Sequence, residues 1–201
     1  KKKKKMKKMK NKIILASSSP RRKELFDKYG IDYTVDFVET EEVLDESLTL
    51  FKRLENIALQ KAKPLQIKYP NNIIVSADTM VTFQDEMLGK PKNREDAKRM
   101  LELLSNNKQV VITAVCIIKD QQSTTFTDAT TVTFKKLSDQ EIEDYLDTNE
   151  WQGKAGAYAI QGVASKFVEK IDGDLENVIG MPMYKVIKYL EAEQYNAYIS
   201  L

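Results

Sequence analysis

The sequence predicts an α/β protein, a mixed sheet flanked by helices, and three observations carry that expectation. Short, wholly apolar runs such as Ile13-Ile14-Leu15 and Ile73-Ile74-Val75 have the length and character of buried strands. Early in the chain these runs alternate with helical stretches, the pattern of parallel pairing through crossovers. Later, two β-type stretches at about 109–118 and 123–134 are separated only by the polar turn Lys119 to Gln122, which favours an antiparallel pair.

The elements follow in order. After the first strand, Pro20 suits the first position of a helix that Gly30 ends. Tyr33 to Val38 alternates as a second strand, and an acidic stretch, Glu39 to Glu46, leads to a helix from about Thr49 to Lys63. Pro64 is expected to kink or end that helix. Asn72 to Ala77 reads as a buried strand, and Val81-Thr82-Phe83 runs into a hairpin turned at Gln84-Asp85. Asn93 caps the next helix, with Asp96 three residues on, and Ser138 with Glu141 forms a capping box opening a helix to about 147. Trp151 to Ile179 is loop-rich, with a strand near 166–171 and a turn at Asp172-Gly173. A last helix starts near Pro182.

The 201 residues fit a lysine-rich head over 1–12 followed by one domain over 13–201. Nine of the 32 Lys and Arg residues lie in that head, leaving 23 basic against 30 acidic side chains in the remainder. The head is expected to be disordered, because its like charges repel and little in it can be buried. The acidic body argues against a dedicated nucleic-acid binder, although a weak contact through the head stays open. No apolar run approaches the roughly 18 residues that span a bilayer, and the head lacks the apolar core of a secretory signal. Neither membrane nor nucleic acid is therefore expected as a partner. The one cysteine, Cys116, cannot form an internal disulfide, and a reduced cytoplasm fits it. Most restrictive is the count of zero histidines. It removes Ser-His-Asp and Cys-His catalysis, so hydrolysis would rely on carboxylates, lysines, arginines and a hard cation held by oxygen.

The segment Ala16-Ser17-Ser18-Ser19-Pro20-Arg21-Arg22 lies between a strand and a helix. Arginines at a helix N-terminus work against the macrodipole. An anion bound there would explain them, because N–H groups, hydroxyls and guanidinium forks then converge on one phosphate-sized target. The alternative is a capped surface helix with solvated arginines. Asp78, directly after a buried strand, could hold a metal, orient water or accept a proton; alone, it reads equally well as a turn cap. Glu41 and Glu42 are either a solvated charge run or metal ligands. Lys61 lies on a helix, and Lys90 is locked between Gly89 and Pro91. Gly156 and Gly162 bracket a candidate binding loop, Ala157 to Gln161. Together these residues form a phosphate-handling inventory without imidazole.

Taken in order, several segments resemble the Maf family of nucleoside triphosphate pyrophosphatases, the septum-formation inhibitor–like proteins. They are Ala16 to Arg22, Glu41-Glu42, Ala58 to Lys61, Ala77-Asp78-Thr79, Gly89-Lys90-Pro91, Ile112 to Val115, Lys154 to Gly162 and Ile179 to Pro182. The resemblance implies an elongated, inosine-triphosphatase-like α/β fold with a central cleft between two lobes, and frequently a homodimer. It implies hydrolysis of a triphosphate to the monophosphate and pyrophosphate with a divalent cation, Mg²⁺ or Mn²⁺. It implies Asp78 as proton acceptor, Glu42, Lys61 and Lys90 as acidic and basic catalytic groups, and Ser17 and Arg22 as the phosphate loop. Glu42 and Asp78 are the implied metal ligands. Arg21, Thr79 and Gln161 match positions that separate the family's substrate subgroups, and here they resemble the dTTP/UTP subgroup. Glu41 departs from the usual aspartate.

A glutamine amide both donates and accepts, which suits the alternating edge of uracil or thymine. The expected function is therefore a cytoplasmic pyrophosphatase for dTTP, UTP and modified pyrimidine triphosphates. A regulatory nucleotide binder acting on cell division with little turnover is the alternative.

Overall fold

The computed structural model describes residues 12–199. Apart from the exposed Lys12, the lysine-rich head lies outside the described residues. Seven strands form a mixed sheet in the order β2-β1-β3-β5-β6-β7, with β4 paired to β3. The strands are β1 (Ile13–Leu15), β2 (Tyr33–Val35), β3 (Ile73–Phe83), β4 (Glu86–Leu88), β5 (Lys108–Lys119), β6 (Gln122–Phe134) and β7 (Val168–Asp172). The helices are α1 (Pro20–Lys28), α2 (Leu50–Lys68), α3 (Arg94–Leu104), α4 (Asp139–Asp147), α5 (Leu175–Ile179) and α6 (Met183–Ile199). The α/β class with a mixed, helix-flanked sheet is as the sequence predicts.

The chain divides into two compact units. The first comprises Lys1–Asp78, Ala114–Thr127 and Gly180–Leu201. Here β1 pairs in parallel with β2 and with β3, Ile13 lying opposite both Tyr33 and Ile73. Its core is apolar on both faces of the strands, from Ile13, Ile14, Leu15, Ile74 and Val75 to Phe26, Leu54, Ile57 and Leu65 on the helices. Helix α1 ends as expected at Gly30, whose φ of +65° no β-carbon opposes. Gly30 N–H donates to the Asp27 carbonyl and Ile31 N–H to that of Phe26, the paired bonds of a Schellman motif.

The second unit comprises Thr79–Thr113 and Asp128–Ile179. It contains the β3–β4 hairpin, with Val81 opposite Leu88, and the antiparallel β6–β7 pair. Gln84 and Asp85 both adopt positive φ, the two-residue turn whose twist matches its flanking strands. Phe134, Tyr158, Phe167 and Tyr145 stack edge-to-face, with centroids 4.9 to 6.1 Å apart, beside Leu101, Leu104 and Leu146.

Four local expectations are corrected. Strand β2 stops at Val35, short of Val38. Pro64 does not end α2, which runs on to Lys68, because a proline removes only one N–H and the later bond from Tyr69 N–H to the Leu65 carbonyl is intact. The two apolar pieces at 72–77 and 81–83 are one strand, β3, running through Asp78 and Thr79. The loop-rich segment holds a short helix, α5, held at its start by Asp174, whose carboxylate accepts the N–H groups of Glu176 and Asn177.

Candidate active site

Ser19 caps α1 by accepting the Arg22 N–H at 3.4 Å, and Pro20 fills the first helical position. No acidic residue stands in the first turn. The Arg22 side chain instead folds back: its Nε donates to the Gly180 carbonyl at 2.7 Å and its Nη1 to Ser17 Oγ at 3.3 Å. Ser17, itself buried, also accepts the Ser19 N–H at 3.2 Å. With two bonds accepted, the Ser17 hydroxyl has its hydrogen left to give, and that suits an anion. Gly180 makes the contact possible. Its φ is +139°, and a β-carbon there would lie 3.3 Å from Arg22 Nε. Loss of solvent lowers the Arg22 pKa to about 10, Asp78 pushes it back up, and Arg21 adds to the lowering.

Asp78 itself meets a second cation. Lys61, on the third turn of α2, donates from Nζ to Asp78 Oδ1 at 2.8 Å. The same ammonium pairs with Glu42 Oε1 at 3.2 Å. Gln60, the neighbour of Lys61, fixes the acidic loop by a double bond pattern: its Nε2 donates to the Val43 carbonyl at 3.1 Å, and its Oε1 accepts the Val43 N–H at 3.2 Å. In this unit Ser17, Arg22, Asp78, Lys61 and Glu42 thus form one connected series of polar and charged contacts, with Arg21 coupled to Arg22.

Glu42 and Asp78 converge on one ammonium, which stands where a cation would. Mg²⁺ is commonly held by one or two carboxylates, with substrate phosphates and water completing its shell. The pair fits that mode. Among the described residues no group of three or more carboxylate or thiol ligands gathers.

In the second unit, Thr79 Oγ1 lies 2.8 Å from Thr113 Oγ1. Lys90 is exposed, and the carbonyl of Gly89 before it accepts the Gly156 N–H at 3.2 Å. Gly156 has a φ of +69°, and a β-carbon there would come within 3.0 Å of Val81, so only glycine lets this turn sit against β3. Gln161 is exposed on the turn closed by Gly162 N–H to the Ala159 carbonyl, and Glu150 accepts the following N–H, from Val163.

The family description "Maf-like protein" matches residues 12–193 of this sequence. The chain belongs to the Maf family. Among similar Maf proteins, the "dTTP/UTP pyrophosphatase" of Acholeplasma laidlawii (strain PG-8A) is 44% identical over 182 residues, 89% of this chain and 95% of the relative. That of Bacillus velezensis is 43% identical over 183 residues, 91% of this chain and 97% of its own. A third, from Bacillus pumilus, is 40% identical over 181 residues.

One expectation about the site of this Maf protein is corrected. Asp78 does not follow a strand; it lies inside β3, where Lys61 offsets the cost of placing a carboxylate in a sheet. Three residues escaped the sequence reading. Gly180 was visible only as a loop glycine, and Gln60 gave no signal beyond adjacency to Lys61. Thr113 gave one: it is the lone hydroxyl in the apolar run Val110 to Ile118, and it is fully buried.

Proposed function

We propose that the protein hydrolyses dTTP, UTP and modified pyrimidine triphosphates to the monophosphate and pyrophosphate. One observation carries the reading: Asp78 is held by Lys61 at 2.8 Å and faces the desolvated guanidinium of Arg22, in a chain without histidine. Arg22 and the Ser17 hydroxyl grip phosphate oxygens and stabilise the charge that builds on them. Asp78 accepts the proton of the attacking water as its oxygen bonds to phosphorus and the phosphoanhydride bond breaks. Lys61 keeps that carboxylate in place, and Lys90 adds a second ammonium for the phosphates. Glu42 and Asp78 would hold Mg²⁺ or Mn²⁺, which, when bound, neutralises the polyphosphate. Arg21, Thr79 and Gln161 recognise the nucleoside. The names of the relatives support dTTP and UTP as substrates.

The test is an assay of dTTP and UTP with Mg²⁺ or Mn²⁺, followed by product analysis. Pyrophosphate and the monophosphate are expected in equal amounts, with activity lost on chelation. Release of single phosphates overturns the reading. A purely regulatory binder would show no such stoichiometry.

We also infer a cytoplasmic homodimer. No described helix is long and apolar enough to cross a membrane. The buried free thiol of Cys116 supports a reducing compartment, and the exposed apolar side chains Phe37, Val38, Val43 and Leu44 support self-association. Light scattering on the eluting protein reads the second point, and a monomer mass refutes it.

A further inference from the structure

The second unit contains a hydroxyl chain whose direction is fixed. Thr113 Oγ1 donates to the backbone carbonyl of Asn177 at 2.9 Å, and a carbonyl can only accept. That bond takes the one hydrogen Thr113 has. In the 2.8 Å contact between Thr113 and Thr79 the hydrogen must therefore come from Thr79. The surrounding network is directed in the same way. Thr130 Oγ1 donates to the Asp174 carbonyl at 2.9 Å, so it accepts from Asn177 Nδ2 at 3.0 Å. The other hydrogen of that amide goes to the Val111 carbonyl at 3.1 Å, which orients the Asn177 side chain. Thr113, Thr130 and Asn177 are all buried, so water cannot reverse the arrangement. Thr79 is only half-buried.

From this polarity we infer that Thr113 is a positioning residue for base selection: it commits the Thr79 hydroxyl hydrogen inward, so that Thr79 meets the substrate as a hydrogen-bond acceptor. The inference rests on the pyrimidine triphosphate reading above and deepens it. Uracil and thymine carry an N–H at position 3, whereas cytosine carries a bare nitrogen there. An acceptor-only hydroxyl pairs with the first and faces the second lone pair to lone pair. A site built on such a polar contact rejects the mismatched base strongly, because a buried group is then left without its partner. Without Thr113 the hydroxyl is free to turn and donate, and the discrimination goes.

The experiment compares kcat/KM for UTP and CTP in the wild type, Thr113→Val, Thr113→Ser and Thr79→Val. Valine keeps the shape of threonine and removes the hydroxyl; serine restores it. We expect the UTP-over-CTP preference to fall at least tenfold in Thr113→Val, partly through a gain on CTP, and to stay within about twofold of wild type in Thr113→Ser. A merely structural loss would lower both substrates together and leave the ratio unchanged, and that result overturns the inference. Should Thr113→Val fail to fold, Thr79→Val decides. It is expected to lose at least tenfold on UTP, mainly through KM, with no comparable loss on CTP, and an unchanged ratio there refutes the assignment. If the wild type hydrolyses neither UTP nor dTTP, the pyrophosphatase reading fails first, and the two failures are told apart.

Discussion

Replacing Asp78 by asparagine separates chemistry from architecture, because the structure bounds what the change does to each. The Asp78–Lys61 contact is short, 2.8 Å, and its carboxylate is 20% exposed. Glu42 lies 3.2 Å from the same ammonium at 46% exposure, so Lys61 keeps one countercharge when Asp78 loses its own. Breaking a buried pair outright costs about 3–5 kcal/mol because it strands a charge. Here the charge is not stranded, and the asparagine oxygen can still accept from Lys61. A loss nearer to about 1–2 kcal/mol follows, between the exposed-pair and buried-pair limits. For a chain of this size that is a drop of roughly 2–8 °C in melting temperature.

Catalysis should respond far more. Losing the proton acceptor costs about a hundred- to ten-thousandfold in kcat. KM should hold or fall, since a negative charge has been removed from beside a polyanion. The assay is pyrophosphate release from UTP at saturating Mg²⁺, alongside a thermal melt. A kcat within threefold of wild type would remove Asp78 from the proton-accepting role. A raised KM with unchanged kcat would make it a binding residue only.

Three further outcomes are expected. Gly180→Ala forces a left-handed residue, at about 1–2 kcal/mol, and pushes its methyl to within 3.3 Å of Arg22 Nε; it should melt lower and lose turnover, and unchanged kinetics would show that the Arg22–Gly180 bond is dispensable. Ion pairs hold the carboxyls of Glu141 and Glu143, and hydrogen bonds those of Asp36 and Asp96, below the usual carboxylate range, so their contribution is full above the unfolded pKa and lost as pH falls through the folded values. Urea midpoints should therefore be flat from pH 7 to about 5 and decline below about 4, and a rise on acidification would contradict this. Burial pushes the Cys116 thiol up to about 12, so a disulfide reagent at pH 8 should label none of the native protein and one thiol per chain in denaturant.

The legible parts of this fold were those set by local chemistry. Asn93 does cap α3, and Ser138 with Glu141 does form the reciprocal box of α4. The turns at Gln84-Asp85 and Asp120-Gln121 fall where polar residues interrupt alternation. Ser17, Arg22, Glu42, Lys61 and Asp78 were chosen as site residues by type alone, and the structure links all five. What stayed hidden was tertiary. Asp78 reads as a terminator because aspartate is rare inside strands, and only Lys61, 17 residues earlier, makes its position in β3 tolerable. The carbonyl of Gly180 lies 158 residues from the guanidinium it anchors, and a backbone acceptor leaves no mark in composition. Thr113 could be flagged as a buried hydroxyl, but its direction depends on the Asn177 carbonyl, which no sequence pattern reveals.

The adjacent arginines at the start of α1 show how a local penalty becomes useful. A cation in the first turn opposes the helix dipole by about 0.3–1 kcal/mol, and removing Arg22 from water adds to that, as its lowered pKa records. The Gly180 carbonyl, Ser17 Oγ and the charge of Asp78 offset the penalty within the folded chain. They also fix a side chain that otherwise carries about 2 kcal/mol of rotamer entropy. Both costs are therefore met on folding, before a ligand arrives. A phosphate entering this site finds a guanidinium already stripped of solvent and already aimed, and little of the binding energy is consumed in ordering it. Arg22→Lys should expose the difference: it keeps the charge but has no fork to bond Gly180 and Ser17 together. If preorganisation is what matters, the lysine variant loses at least tenfold in kcat/KM, while a loss under threefold would show that charge alone suffices.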